Sequence, residues 1–381
     1  MTLFAYKADQ IFNGMTLLSD HALLVEDGNV LGLKTGTNLP VRAEIIDLGA
    51  GVLSAGFTDL QVNGGGGVMF NDDPTVATLK VITEAHARLG STTILPTLIT
   101  DSFEKTRAAI DAVEHAIAQG IQGIAGLHLE GPHLDQRRAG AHLPLLIRLM
   151  DQGDLTLLLD AAARLPVLKV TLAPASVTSE QIKHLAQAGV IVSLGHADCT
   201  SQEALEAHQA GAICVTHLFN AMSQMTPREP GLVGAALSAD GLQAGLIADL
   251  IHVHPDMIRI AQRSKPKTGL FLVSDAMAVA GIAHESFTLN TRKITRQDGR
   301  LTLEDGTLAG ADLDLARAVS NIVSLGSAPA DALAMATSIP AKLIGAGSAF
   351  AQGQPADFIH LSADWQLAQV WRNGETLLSH P

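Results

Sequence analysis

Residues 123–134 read GIAGLHLEGPHL, a stretch that begins like a buried strand and then changes character. Its apolar residues are followed directly by Glu130, and the Gly-Pro pair at 131–132 stops the run. A carboxylate that leaves water at the end of a buried strand costs free energy unless a partner compensates it. The stretch therefore predicts a buried strand whose last residue binds a partner; the alternative is a structural carboxylate that caps the next helix.

Eight apolar runs of this kind follow one another along the middle of the chain. They are GFTDLQVNG (56–64), STTILPTLIT (91–100), IAGLHLEGP (124–132), VLKVTLAP (167–174), VIVSLGHAD (190–198), AICVTHLFN (212–220), AGLIADLIHV (244–253) and GLFLVSDAM (269–277). Most are followed by a helical pattern, clearest at 74–90 and 102–120. Strand–helix alternation is typical of a parallel sheet, and eight units predict an α/β fold of the (β/α)₈ barrel type. An open doubly wound sheet is the alternative, but no G-x-G-x-x-G turn supports it.

The two ends of the chain have a different pattern, with short alternating strands and hairpin turns at Asp27-Gly28 and Asn373-Gly374. We predict that residues 1–52 and 346–381 together form a small β-sandwich domain. The barrel is then expected over 53–345, with a β-hairpin insertion near 284–308. Two separate decorations of the barrel are the alternative.

Composition narrows the classes of function. The chain has 381 residues, a formal net charge of −13 and no run of Lys or Arg, which argues against nucleic acid or an anionic membrane as a partner. The first residues lack the pattern of a signal peptide, and no apolar run is long enough to span a bilayer. Two cysteines cannot form a disulfide framework. We expect a cytoplasmic protein.

Polar residues stand where several of the predicted strands end, which is where barrel enzymes carry their chemistry. Glu130, His196 and His217 end strands three, five and six, and one carboxylate with two histidines is a known ligand set for catalytic zinc. Asp275 ends strand eight and is our candidate general base, with a helix N-cap as its alternative. Lys169 could form a carbamate that bridges two metals, or a Schiff base. Its position in strand four instead predicts a solvated, structural lysine near the bottom of the barrel.

Three cationic or titratable residues lie in loops after these strands and suggest an anion site. Arg228 lies in a long polar loop after strand six, His142 in the loop after strand three, and His252 just beyond strand seven. Arginine suits bidentate recognition of phosphate. A solvent-exposed pair between Arg228 and Glu229 is the alternative.

The motifs together resemble one family. The stretches GFTDLQVNGGGG, GLHLEGPHL, AGAH, SLGHAD, THLFNAM, REPGLVGAAL, IADLIHVHP, LVSDAM and GTLAG are similar in type and order to those of the N-acetylglucosamine-6-phosphate deacetylases of the amidohydrolase superfamily. The resemblance implies that Glu130, His196 and His217 bind the metal and that Asp275 is the catalytic acid and base. It implies these contacts to the sugar phosphate: Ala141, His142, Asn220, Ala221, Arg228, His252, Leu308, Ala309 and Gly310. It also implies a homodimer or a dimer of dimers, with part of the phosphate site supplied across the interface.

One feature departs from many amidohydrolases, which carry His-x-His at the end of strand one and bind a second metal there. Gln61 and Asn63 occupy these positions, and amides are poor ligands compared with imidazole. We therefore predict one divalent metal per subunit, with zinc favoured over iron, manganese or cobalt.

The predicted activity is hydrolysis of the acetamide of N-acetyl-D-glucosamine 6-phosphate. The alternatives are the same reaction on the galactosamine epimer, another amide hydrolysis such as that of a cyclic amide, a Schiff-base aldolase, and a sugar-phosphate binder without activity.

Overall fold

The computed structural model describes residues 2–347 and 350–379. All eight predicted runs form strands of one parallel sheet, in which each strand pairs with its neighbours in chain order. The strands are Phe57–Val62, Ser91–Ile99, Leu127–Glu130, Leu168–Leu172, Ile191–Leu194, Cys214–Val215, Gln243–Leu246 and Leu270–Leu272. The predicted barrel is therefore confirmed.

The barrel closes between its first and eighth strands. The backbone N–H of Asp275 donates to the carbonyl oxygen of Gln61 at 3.1 Å, and the N–H of Asn63 donates to that of Ala276 at 2.9 Å. Closure brings the carboxyl ends of all eight strands to one rim. Polar residues that are far apart in the sequence can therefore face a common centre.

Helices surround the barrel. They are Val76–Arg88, Phe103–Ala118, Gln152–Arg164, Ser179–Gln187, Ser201–Ala210, Gly231–Ser238, Pro255–Ser264, Leu315–Ser324, Pro329–Ala336 and Ser338–Leu343. Many begin at a side chain that accepts an orphan backbone N–H; Thr75 does so for the first helix and Ser102 for the second. Short 3₁₀ turns span Gly36–Asn38, Gln136–Arg138, Pro144–Leu146 and Pro174–Ser176. In the part of the chain that the structure describes, no helix is both long and apolar enough to cross a membrane.

The two ends of the chain combine into β-structure, as predicted. A four-stranded sheet has the order Asn29–Thr35, His21–Glu26, Leu3–Lys7, Glu44–Asp47, and a six-stranded sheet has the order Glu375–Ser379, Leu367–Arg372, Phe358–Leu361, Val52–Ala55, Gln10–Phe12, Leu17–Leu18. Both predicted hairpin turns have left-handed backbone at their two central residues, with φ of 49° and 76° at Asp27-Gly28 and 49° and 74° at Asn373-Gly374. The domain limits themselves remain a prediction.

The predicted hairpin insertion is a four-stranded antiparallel sheet. Its strands are Ser286–Leu289, Arg292–Gln297, Arg300–Thr302 and Leu308–Ala311. The last strand returns to the barrel, where the N–H of Ala311 donates to the carbonyl oxygen of Asp275 at 2.9 Å. This bond holds residues 308–310 at the rim, next to the end of strand eight.

Candidate active site

Three of the four predicted metal-binding and catalytic residues share an uncommon backbone conformation. The φ angles of His196, His217 and Asp275 are 45°, 32° and 50°, in the left-handed region that costs a non-glycine residue on the order of 1–3 kcal/mol. Each residue lies just past the end of its barrel strand. Such strain persists only where the surroundings impose it, and it concentrates at functional sites.

Glu130, His196 and His217 meet at the centre of the rim. Nε2 of His217 and Nε2 of His196 lie 3.0 Å and 3.3 Å from Oε1 of Glu130, and the two nitrogens are 3.0 Å apart. Nδ1 of His196 donates to the carbonyl oxygen of Arg138 at 2.7 Å, so Nε2 is the nitrogen that can present a lone pair to a metal. A carboxylate oxygen and two imidazole nitrogens at such distances need a positive charge between them. The donor set therefore fits a divalent cation such as zinc.

The electrostatics of this cluster agree with that reading. Burial by itself raises the pKa of Glu130, but hydrogen bonds and charge interactions with His196 and His217 outweigh it and hold the pKa well below its usual range. Burial opposes protonation of His217, yet the hydrogen bond and charge of Glu130 raise its pKa. Both shifts have one origin, because the cluster stabilises a positive charge beside the carboxylate of Glu130.

His142 approaches the same cluster but has a different protonation pattern. One of its nitrogens lies within 4.8 Å of ligand atoms of Glu130 and His196. The backbone N–H of Thr100 donates to Nδ1 of His142 at 3.3 Å, and the hydroxyl of Thr100 lies 2.7 Å from the same nitrogen. With Nδ1 as the acceptor of the backbone N–H, the neutral ring carries its proton on Nε2. Burial and the neighbouring His196 lower the pKa of His142 well below its usual value, which keeps the ring neutral. Glu130, His142 and His196 also form a group that could hold a metal ion. A ring nitrogen that carries a proton donates a hydrogen bond and does not bind a metal, which favours His217 over His142 as the third ligand.

The two amides at the end of strand one face the carboxylates. Oδ1 of Asp275 accepts hydrogen bonds from Nδ2 of Asn63 at 2.7 Å and Nε2 of Gln61 at 3.1 Å, and Gln61 also reaches both oxygens of Glu130 at 3.3 Å. Gln61 and Asn63 therefore stabilise two carboxylates as neutral donors, where a His-x-His pair would bind a second cation. Burial, followed by the charge of Glu130, raises the pKa of Asp275. A carboxylate with a raised pKa is suited to both accepting and returning a proton.

His252 is oriented by an adjacent carboxylate. Oδ2 of Asp249 lies 2.6 Å from Nδ1 of His252, and Oδ1 of Asp249 accepts the backbone N–H groups of Ile251 and His252 at 2.9 Å and 2.8 Å. Burial raises the pKa of Asp249, but the bond with His252 outweighs it and lowers the pKa. Nδ1 of His252 is therefore occupied, and Nε2 is the nitrogen left for a ligand.

A cavity of about 390 Å³ contains most of the predicted site. Eleven of the thirteen predicted residues line it: Glu130, Ala141, His142, His196, His217, Asn220, Ala221, His252, Asp275, Leu308 and Gly310. Ala309 is buried beside the cavity and does not line it. Arg228 lies in an exposed part of its loop and does not line the cavity of its own chain. Among the described residues no ion pair joins Arg228 to Glu229, whose carboxylate accepts backbone N–H groups of Ser201 and Gly231.

Several residues of the cavity wall were not predicted. Arg137, Arg138 and Thr307 line it, and the two arginines are paired with the carboxylates of Asp135 and Asp198. The sequence held a signal for them, because they directly precede the loop segment that carries His142. Our expectation of a solvated Lys169 is wrong: its side chain is fully buried inside the barrel, and its amino group has no hydrogen-bond partner among the described residues. Burial lowers the pKa of this lysine.

The fold and the site together define a metal-dependent hydrolase built on a (β/α)₈ barrel. The sequence comparison agrees, since the pattern of the amidohydrolase family matches residues 52–377. The chain belongs to the amidohydrolase family.

Relatives with curated names narrow this class. The chain is 42% identical over 368 residues to an N-acetylgalactosamine-6-phosphate deacetylase of Shewanella sp. (strain ANA-3), covering 94% of this chain and 92% of that protein. It is 34% identical over 348 residues to an N-acetylglucosamine-6-phosphate deacetylase of Haemophilus influenzae, covering 88% of each.

Solved structures that resemble this chain also include deacetylases of this kind. The N-acetylglucosamine-6-phosphate deacetylase of Pasteurella multocida superposes with a TM-score of 0.93 at 34% identity, covering 98% of this chain and 99% of that one. A mutant deacetylase of Mycobacterium smegmatis in complex with N-acetyl-D-glucosamine-6-phosphate superposes with a TM-score of 0.92 at 29% identity, covering all of both chains.

Proposed function

We propose that this enzyme hydrolyses the acetamide of N-acetyl-D-glucosamine 6-phosphate to acetate and D-glucosamine 6-phosphate. The observation that carries the proposal is the convergence of Glu130, His196, His217 and Asp275 on one cavity of about 390 Å³. That volume lies in the range of small-molecule sites. The relatives that cover nearly the whole chain act, by their names, on this sugar phosphate or its epimer.

The metal is proposed to be a single divalent ion, with zinc favoured, held by Glu130, His196 and His217. When bound, such an ion supplies a Lewis acid and lowers the pKa of water at its open position. The amides of Gln61 and Asn63 support a single ion, because their N–H groups already satisfy the carboxylates beside them.

Asp275 is proposed to move the proton. Both of its bonds to the amides of strand one go to Oδ1, so Oδ2 is the oxygen left for exchange with water and substrate. Its raised pKa lets it accept a proton from the attacking water and return it to the departing amine.

His142 is proposed to stabilise the oxyanion that develops on the acetamide carbonyl. Its neutral ring carries the proton on Nε2 and lines the cavity, so it presents a hydrogen-bond donor that is already in place before the reaction. A preorganised donor in a buried site stabilises developing charge more effectively than water does.

The sugar phosphate is proposed to bind through His252, Ala141, Asn220, Ala221 and the segment 308–310. Arg228 is proposed to bind phosphate, and its exposed position outside its own cavity suits a role in the site of a second copy. We therefore propose a homodimer, or a dimer of dimers, in the cytoplasm.

A second candidate substrate is N-acetylgalactosamine 6-phosphate, which is favoured by the 42% identity to a deacetylase named for that sugar. Acetate release from the two hexosamine phosphates, measured on metal-stripped and zinc-reloaded protein, tests both candidates. Acetate release from N-acetylglucosamine 6-phosphate by the zinc-loaded protein supports the proposal. Faster release from the galactosamine epimer would instead favour the second candidate substrate. No release from either compound refutes both.

A further inference from the structure

His196 needs support that its own strand does not provide. The strand ends at Leu194, and His196 adopts a left-handed backbone with φ of 45°. Two hydrogen bonds hold it from outside: the N–H of Asp135 donates to the carbonyl oxygen of His196 at 2.9 Å, and Nδ1 of His196 donates to that of Arg138 at 2.7 Å. The second bond sets the rotation of the ring and thus the direction of Nε2.

Both hydrogen-bond partners of His196, Asp135 and Arg138, lie on one short segment whose own position must be stabilised. Residues Gln136–Arg138 form a single 3₁₀ turn, which begins at Asp135 with the carboxylate accepting the N–H of Arg137 at 3.0 Å. A turn of three residues contributes little stability of its own. The position of the Arg138 carbonyl oxygen therefore depends on what the side chains of this turn bind.

Those side chains bind across to the loop that follows His196. Nε and Nη2 of Arg138 donate to Oδ1 of Asp198 at 2.9 Å and 2.6 Å. Arg137 donates to Asp135 from Nε and Nη2, and its Nη1 lies 3.2 Å from Oδ2 of Asp198. The N–H of Asp198 closes the network by donating to Asp135 at 3.3 Å.

The geometry points to a positioning role for these four residues, which we call the Asp198 clamp: Asp135, Arg137, Arg138 and Asp198. We infer that the clamp holds the carbonyl oxygen of Arg138 against Nδ1 of His196 and so aims Nε2 of His196 at the metal position. The inference rests on the proposed metal-binding role of His196. An isolated surface ion pair contributes little stability, but linked charge-assisted bonds fix the relative position of two loops.

The test compares zinc affinity among matched variants of the full chain. Asp198→Asn removes the negative charge that strengthens the bond from Arg138, and Arg138→Gln removes the guanidinium. Both variants leave the backbone partners of His196 in place. Asp111→Asn is the control, because Asp111 pairs with Arg164 on the outside of the barrel and its side chain is 42% exposed, against 27% for Asp198. The dissociation constant for zinc is measured by competition with a chelator, and the melting temperature is measured on the metal-free proteins.

We expect both clamp variants to bind zinc about 10- to 100-fold more weakly, as is usual when a residue that orients a ligand is lost. The control is expected to bind zinc as tightly as the wild type does. The three metal-free variants are expected to have the same melting temperature. Wild-type zinc affinity in both clamp variants overturns the inference, as does a melting temperature lower than that of the control, which would indicate a general loss of stability. Failure of the wild type to release acetate would refute the proposed substrate without changing this comparison.

Discussion

Two polar clusters inside the barrel are both buried but differ in their hydrogen bonding and charge. The ligand cluster is Glu130, His196 and His217. The interior network is His128 with Thr97, Thr171, Thr216 and Ser193. Glu130 and His128 belong to the same strand, and both are at most 2% exposed.

The interior network satisfies itself. The two ring nitrogens of His128 lie 3.1 Å and 2.8 Å from the hydroxyls of Thr97 and Thr171, and Thr216 lies 2.6 Å from the hydroxyls of both Thr171 and Ser193. Burial lowers the pKa of His128 well below its usual value, so the network is neutral. The ligand cluster instead directs one carboxylate oxygen and two imidazole nitrogens at one point, and Nδ1 of His217 has no partner among the described residues. A candidate metal site is therefore distinguished from a buried polar core by acceptor atoms that point at one position without a donor, and not by burial alone.

Metal removal gives the largest expected difference between the two clusters. Protein treated with a chelator should lose acetate release to the background level, because the Lewis acid that the ligand cluster would hold is then absent. One equivalent of zinc per chain should restore the rate, as measured by metal analysis beside the assay. More than one tightly bound ion per chain would contradict the assignment of Gln61 and Asn63 as neutral donors.

Asp275→Asn should have the next largest effect. The variant keeps the shape of the site and the three metal ligands but has no carboxylate to exchange the proton. Turnover should fall on the order of 10²-fold or more, the usual cost of removing a general acid or base. The measurement is kcat for acetate release at equal zinc content, and a kcat near that of the wild type would reject the role.

Arg228→Ala tests whether Arg228 binds the phosphate of the substrate. Loss of a charge-assisted bond to phosphate, at about 1.5–3 kcal/mol, should lower kcat/KM for the phosphorylated sugar roughly 10- to 100-fold. The dephosphorylated analogue should be affected far less. Arg42→Ala is the control, because Arg42 pairs with Glu26 far along the chain from the site residues. It should leave kcat/KM unchanged for both sugars. Equal losses on both sugars would show that Arg228 does not bind phosphate.

His128→Leu should have the smallest effect on catalysis. It leaves the hydroxyls of Thr97 and Thr171 without their imidazole partner, which should lower the free energy of unfolding by about 1–3 kcal/mol. Zinc affinity and kcat should change only slightly, because the interior network holds no group that acts on substrate. Denaturant unfolding measures the free energy of unfolding, and chelator competition measures the zinc affinity. If the variant lost zinc binding and kept its stability, His128 would belong functionally to the ligand cluster.

Most of the fold followed from sequence because it depends on local, periodic signals. Eight apolar runs separated by helical patterns indicate eight strands, and the pairs Asp27-Gly28 and Asn373-Gly374 indicate hairpins, since each signal is contained in a few neighbouring residues. The insertion was only partly predicted. Its strand Leu308–Ala311 pairs with a barrel residue far away in the chain, and no local pattern encodes such pairing.

The sequence by itself determined which residue types end the strands of this barrel, and so the candidates Glu130, His196, His217 and Asp275. Tertiary structure alone decided that Nδ1 of His142 faces Thr100, that Lys169 is buried, and that Asp198 reaches Arg138 across two loops. The physical reason is that strand ends are set by periodic burial along the chain. Protonation, desolvation and contacts between loops are instead set by neighbours that come together only when the barrel closes.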